Sequence, residues 1–322
     1  MYSNEIERIE RRGGSRGAVL VLLGLLVVIG AILVSCTDNP GVRLRYEAEK
    51  RFFEAQRAER DASIQPQLIT ARKIDSIRTV WADLVGFCYD AIDSIPGEEY
   101  ERERGELTTI AFRSASRVAQ MFYRERRYDT CVSIMSQLID RTNLQGASRI
   151  SALINLGQAL QSSGNWDSAL VVYEYCVNTF YPPVDPAGNV ISKLFNLPAH
   201  IFRVYSRIND TINARMQLDN AEFYYRDLIA EYPNTEIERA GRTSLTNLYE
   251  STGRWEEAIR QLEGIVDSQG VTMHVARQRI ADIYSTRLGR VDTALTIYDE
   301  LLAEMTGRDT AQIPVVLFKK AL

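Results

Sequence analysis

A six-residue block recurs along this chain and constrains its fold more than any other feature. It reads Gly164-Asn165-Trp166-Asp167-Ser168-Ala169, then Gly253-Arg254-Trp255-Glu256-Glu257-Ala258, then Gly289-Arg290-Val291-Asp292-Thr293-Ala294. Two looser copies, Arg126-Arg127-Tyr128-Asp129-Thr130-Cys131 and Met216-Gln217-Leu218-Asp219-Asn220-Ala221, lack the glycine. The shared order is a turn residue, any residue, a large apolar residue, an acid, any residue, then Ala or Cys. Glycine reaches positive φ at no steric cost, which ends one helix and turns the chain. The acid opens the next helix, where its charge opposes the positive end of the helix dipole. The small residue lets two helices approach at their crossing, and the bulky one plugs the turn. The acids fall at 129, 167, 219, 256 and 292, giving three near-equal intervals and one stretched one. Such periodicity predicts an array of antiparallel helix pairs. Ile74-Asp75-Ser76-Ile77 is a candidate for a degenerate sixth junction.

The N-terminus carries a different signal. Residues 1–16 hold Arg8, Arg11, Arg12 and Arg16 against three glutamates, and residues 18–34 are continuously apolar. A basic flank, an apolar core and small residues before a cut site form an export signal. Leu33-Val34-Ser35-Cys36 resembles the lipobox of bacterial lipoproteins. That resemblance implies cleavage of residues 1–35 and lipidation of Cys36, and the alternative is an uncleaved membrane helix, for which the apolar run is barely long enough. Thr37, rather than Asp, after the lipidated cysteine implies the outer membrane, facing the periplasm; the inner membrane is the alternative. Net charge is −4 at pH 7 for 322 residues. A chain of that balance lacks the basic face that nucleic acid requires. Cys88, Cys131 and Cys176 remain beyond Cys36, and their odd number and wide spacing do not suggest a disulfide framework. Cys131 and Cys176 read as small core residues.

Residues 36–44 read as a tether containing Pro40 and Gly41, and residues 45–106 as long helices that fit the repeat poorly, the second starting after Pro66. The array itself spans 107–306. Its expected helices are 107–125 with 128–142, 148–162 with 166–180, 193–208 with 218–231, 236–251 with 255–267, and 272–287 with 291–305. Tyr181 to Val190, with three prolines and a glycine, is the strongest loop signal. Residues 307–322 are expected to cap the open end by a final helix. The fold class is therefore all-α, a right-handed α-solenoid of helix pairs behind an N-terminal signal or anchor.

These positions resemble the tetratricopeptide repeat family. Leu156-Gly157, Leu160, Ala169, Tyr173, Cys176 and Pro182 carry the likeness in the best repeat; Ala221, Tyr225, Leu228 and Pro233, then Leu245, Tyr249, Ala258 and Leu262, then Ile280-Ala281, Tyr284, Ala294, Tyr298 and Leu301 carry it further on. The resemblance implies that Trp166, Ala169, Tyr173, Ala221, Tyr225, Trp255, Ala258, Ala294 and Tyr298 pack between helices. Tyr225-Arg226-Asp227-Leu228-Ile229 with Tyr232-Pro233-Asn234-Thr235 is similar to segments of the BamD outer-membrane assembly lipoproteins and of the periplasmic CpoB/YbgF group.

Signs of chemistry are few. His200 and His274 have no His or Cys partner at metal-ligand spacing, and no phosphate-loop triplet or hydrolase elbow occurs. The reading is a non-enzymatic scaffold without metal or cofactor, binding envelope proteins or peptides; the alternative is a module for a small ligand or peptidoglycan fragment. In the repeat family the first helices line a concave groove. Carried over, its positions are Arg113, Arg117, Gln120 and Arg124, then Asn155 and Gln158, Arg203 and Arg207, Asn247, and Arg279 with Asp282. The N-terminal part of that groove is expected to be basic and to hold an acidic segment.

Overall fold

The computed structural model describes residues 39–64, 70–181, 189–265 and 271–305. The leader, Cys36 and the expected C-terminal cap lie outside the described residues. Those described are helical and form no strand, as the junction spacing predicts. None of their helices is long and apolar enough to cross a membrane. The chain divides into two compact units, Met1–Val172 and Tyr173–Leu322.

In the first unit, α1 (Pro40–Ser63) starts inside the segment expected to be a tether. Asn39 accepts the Val42 amide at 3.1 Å through its side chain, and Pro40 occupies the first turn. An Asn-Pro-Gly string reads as linker, yet it is also a capped helix start, because proline's missing amide costs nothing there. The buried seam of α1 is Gly41, Ala48, Ala55 and Ala62, one small residue every second turn. It meets α2 (Ala71–Ser94) and α3 (Glu101–Arg124). A Cβ on Gly41 would come within 2.7 Å of the Tyr100 ring. Phe52 packs edge-on to Trp81 with centroids 5.4 Å apart. Helix α2 begins beyond Thr70, whose hydroxyl accepts the Lys73 amide, so Ile74 to Ile77 lie within a helix and form no junction. After a 3-10 turn at Glu98–Tyr100, α3 pairs with α4 (Tyr128–Arg141), and α4 with α5 (Gly146–Ser162). Helix α6 is Trp166–Phe180.

In the second unit, one expected helix over 193–208 is two, α7 (Asn189–Leu194) and α8 (Leu197–Arg207), because Pro198 opens a fresh helix. Then come α9 (Thr211–Glu231), α10 (Glu236–Ser251), α11 (Trp255–Glu263), α12 (Val271–Thr286) and α13 (Val291–Met305). From α8 onward each helix packs on the next.

The junctions share one geometry. Arg126, Gly164, Asn209, Gly253 and Gly289 all take positive φ, between 60° and 88°. The next residue's amide reaches back across the last turn: Arg127 to Phe122 O, Asn165 to Leu160 O, Asp210 to Tyr205 O, Arg254 to Tyr249 O and Arg290 to Tyr284 O, at 2.8–3.1 Å. This satisfies carbonyls that the ending helix leaves open. The same residue's carbonyl then accepts the amide of the small residue four places on: Cys131, Ala169, Ala214, Ala258 or Ala294. The third junction is therefore Asn209 to Ala214, and Met216 to Ala221 lie in mid-helix. Its acid sits at the cap instead, where Asp210 accepts the Asn213 amide at 3.1 Å.

Ala258 is fully buried at this crossing. Ala258→Leu should cost about 1–3 kcal/mol of unfolding free energy through overpacking, measured by urea denaturation. A cost near zero would mean the crossing has room.

Candidate functional site

The expected groove residues separate by environment. Arg117 is engaged by α1: its Nε donates to Glu59 Oε2 at 2.9 Å, a second guanidinium nitrogen reaches Glu59 Oε1, and a third donates to Gln120 at 2.6 Å. The N-terminal helix thus supplies the carboxylate that the expected basic surface was thought to take from a partner. Arg113, Gln120 and Arg124 are exposed on α3; on α5, Asn155 is half-buried and Gln158 exposed. Arg203 and Arg207 are exposed on α8. Burial lowers the pKa of His200 on that helix, helped by these two charges, and its ring lies edge-on to Tyr173 at 5.1 Å.

Asn247, Arg279 and Asp282 do come together. They line an open recess of about 520 Å³ between α10 and α12, with Glu250, Ser251, Trp255, Ile283, Thr286 and Arg287. Register explains the grouping: Asn247 and Glu250 are neighbours on α10, while Arg279, Asp282, Ile283 and Thr286 follow three-and-four spacing on α12. Arg279 is fixed by three bonds. Its Nε donates to Glu250 Oε1 at 2.7 Å, and its Nη2 to Glu250 Oε2 at 2.8 Å and to Asn247 Oδ1 at 2.6 Å. Such a fork holds the guanidinium plane in place. Asp282 accepts the Tyr298 hydroxyl, whose pKa burial and then this carboxylate push upward. The Arg287 guanidinium lies 5.1 Å from the Trp255 ring centre. Two carboxylates balance two guanidiniums, so the recess suits a polar, uncharged backbone better than a strongly acidic segment. Glu250, Trp255 and Arg287 also line this recess and were not among the expected positions; the Arg279 bonds that bring α12 beside α10 reveal them.

A second recess of about 420 Å³ is lined by residues of α6, α8 and α9, among them Glu174, Tyr181, Met216, Gln217, Phe223 and Tyr224. Glu174 Oε1 accepts from Tyr205 at 2.7 Å and from Gln217 at 3.0 Å. Tyr181 donates to Asp227 and packs tilted against Tyr224, with ring centres 4.5 Å apart. Met216 and Phe223 are exposed.

The residues assigned to packing, namely Ala169, Tyr173, Ala221, Tyr225, Ala258, Ala294 and Tyr298, are buried. Trp166 and Trp255 are half-buried. Cys88, Cys131 and Cys176 are buried. No group of three or more His, Cys, Asp or Glu that could hold a metal occurs among the described residues.

Two crystal structures are among those similar to this chain. One is BtubC (BKLC) from P. vanneervenii, 15% identical, covering 84% of this chain and 94% of its own, with a TM-score of 0.41. The other is a putative kinesin light chain with nearly identical TPR-like repeats from Podosopora anserina, 16% identical, covering 62% of this chain and 97% of its own, with a TM-score of 0.38. No curated protein matches the sequence. The tetratricopeptide repeat model matches residues 243–264, the α10–α11 hairpin that supplies Asn247, Glu250, Ser251 and Trp255 to the first recess.

Proposed function

We propose that this chain is a non-enzymatic scaffold, anchored by lipid at Cys36 in the bacterial envelope, that holds an extended segment of a partner protein in the α10–α12 recess. The observation that carries the reading is the Arg279 fork. Glu250 and Asn247 fix the guanidinium before any ligand arrives, so little side-chain entropy is lost on binding. Asn247, Ser251 and Thr286 supply further polar groups for a peptide backbone, and Trp255 with Arg287 offers a flat wall for a side chain. The local tetratricopeptide match supports protein binding, and the apolar run ending at Ser35-Cys36 supports the anchor. The likeness of residues 221–235 to BamD-type repeats favours an outer-membrane assembly role. Photo-crosslinking amino acids at Asn247 and Thr286, used in intact envelopes, test it. Discrete protein adducts are expected at both positions, and their yield should drop at least about tenfold with Arg279→Ala, as the loss of a charge-assisted pair implies. Equal yields from exposed Glu256 on α11 would refute a specific groove.

A second reading rests on the other recess. Its aromatic lining and single carboxylate suit a small amphipathic ligand. Such a ligand should perturb the NMR signals of Phe223 and Met216 and leave Trp255 unchanged.

A further inference from the structure

The outer face of α1 has a composition that the scaffold reading leaves unused. Tyr46, Lys50, Phe53, Arg57, Arg60 and Ile64 follow spacings of four, three, four, three and four residues. That places them along one side of a helix. All six are exposed, and the apolar ones strongly so: Tyr46 at 65%, Phe53 at 72% and Ile64 at 70%. The stripe runs opposite the buried Ala48, Ala55 and Ala62, and it contains no acid. Of the five acids of this helix, Glu47 pairs with Arg51, Glu49 with Arg45 and Glu59 with Arg117, while Glu54 and Asp61 are exposed beside the stripe. Arg57 meets Asp61 only at 3.9 Å. Three apolar groups and three cations thus face outward together, on a helix whose other side is fully occupied.

The sequence says what lies nearby. The apolar run ends at Val34 and α1 begins at Pro40. The few residues between them span at most about 20 Å when extended. Whether the chain is held by acylated Cys36 or by an uncleaved apolar helix, α1 is the first described helix after the anchor. Basic side chains with aromatic and aliphatic ones on one helix face suit the headgroup layer, where cations meet anionic lipid and rings enter the interface.

We infer that the Tyr46–Ile64 stripe is a membrane-surface contact that lays α1 along an anionic lipid headgroup layer. The inference rests on the anchor in the proposed function and adds an orientation to it. The surface contact fixes the first unit against the bilayer, so the scaffold does not swing freely on its tether.

The test uses the full-length chain in vesicles, with a fluorescent amino acid at Phe53. In vesicles containing phosphatidylglycerol, the probe should shift to the blue and be quenched by lipids carrying a headgroup quencher. Pure phosphatidylcholine should weaken both effects. So should Lys50→Glu, Arg57→Glu and Arg60→Glu combined, because each basic residue beside an anionic surface is worth about fivefold in binding, or on the order of a hundredfold for three. Added salt should act in the same direction. In every case the chain must stay with the vesicles. A retained chain whose probe stays water-exposed would overturn this inference and leave the anchor standing. A probe that is shielded but not quenched by lipid would overturn it in favour of an acidic protein partner or a second copy. A chain that does not sediment with the vesicles would overturn both.

Discussion

Tyr225→Ala should lower the unfolding free energy by about 3–5 kcal/mol, the range for deleting a fully buried aromatic ring. Tyr225 has no exposed surface. Its ring lies 5.3 Å from Tyr224 and 5.5 Å from Phe195, and its hydroxyl donates to the Phe195 carbonyl at 2.8 Å. That carbonyl sits in the break between α7 and α8, so one side chain fills the core and ties down an interruption. Tyr225→Phe separates the two roles. It keeps the ring, orphans the carbonyl, and should cost only about 0.5–1.5 kcal/mol, with faster amide exchange at the start of α8. Burial pushes this hydroxyl up to about 12 from an ordinary value of 10. A raised folded-state value means that its contribution is full below pH 10 and is lost as pH rises toward 12, because the unfolded phenol ionises first. Tyr225→Phe should therefore also shrink the alkaline loss of stability. Denaturation across pH 8–11 checks both claims, and a Tyr225→Ala cost below that of Tyr225→Phe would contradict this packing role.

What could be read beforehand depended on whether one residue type was required. At Gly164, Gly253 and Gly289 the turn needs positive φ, so the residue marks the place. At 126 an arginine accepts that conformation, yet the apolar, acidic and small residues after it still marked the junction. At 209 the signal moved. Asn209 takes the turn, Asp210 caps, and the two positions expected to be apolar and acidic hold Thr211 and Ile212. Met216 to Ala221 carries the pattern's apolar, acidic and small residues as Leu218, Asp219 and Ala221, two turns further along α9, where Ala221 is also buried. Helix α1 hid its core for a related reason. A seam of glycine and alanine is not a hydrophobic stripe, and two large apolar residues of that helix, Tyr46 and Phe53, point outward. Asn247, Arg279 and Asp282 came from positions carried over from the repeat family, and the structure brings them to one recess. Charge matching was invisible, since Glu59 lies 58 residues from Arg117 and Glu250 lies 29 from Arg279. Each of those pairs fixes an arginine against a carboxylate of another helix, which no local spacing shows.

Glu222→Ala should cost about 2–3 kcal/mol, the second-largest expected effect, although the position is polar. Glu222 on α9 is 7% exposed. It accepts from Arg226 at 2.9 Å, from the Tyr249 hydroxyl of α10 at 3.2 Å, and from Arg254, which precedes α11. Arg254 also lies over the Tyr249 ring at 4.6 Å and donates to Glu257 at 3.1 Å. One carboxylate thus fastens three successive elements at the junction where Gly253 turns the chain. Removing it would cost more if both arginines were sealed from water, since an unpaired buried charge is penalised by about 3–5 kcal/mol. Here the side chains of Arg226 and Arg254 are 61% and 35% exposed, so they can rehydrate and the effect stays below that range. Two consequences follow from the same geometry. Glu222→Gln, which keeps the shape and one acceptor, should cost about half as much as Glu222→Ala. A double-mutant cycle with Arg254→Ala should return a coupling of about 1–2 kcal/mol that shrinks at high salt. Zero coupling would mean that Glu222 acts through Tyr249 and Arg226, of which the exposed Arg226 contributes less. In that case Tyr249→Phe, which deletes the hydroxyl and keeps the ring, should reproduce most of the Glu222→Ala loss.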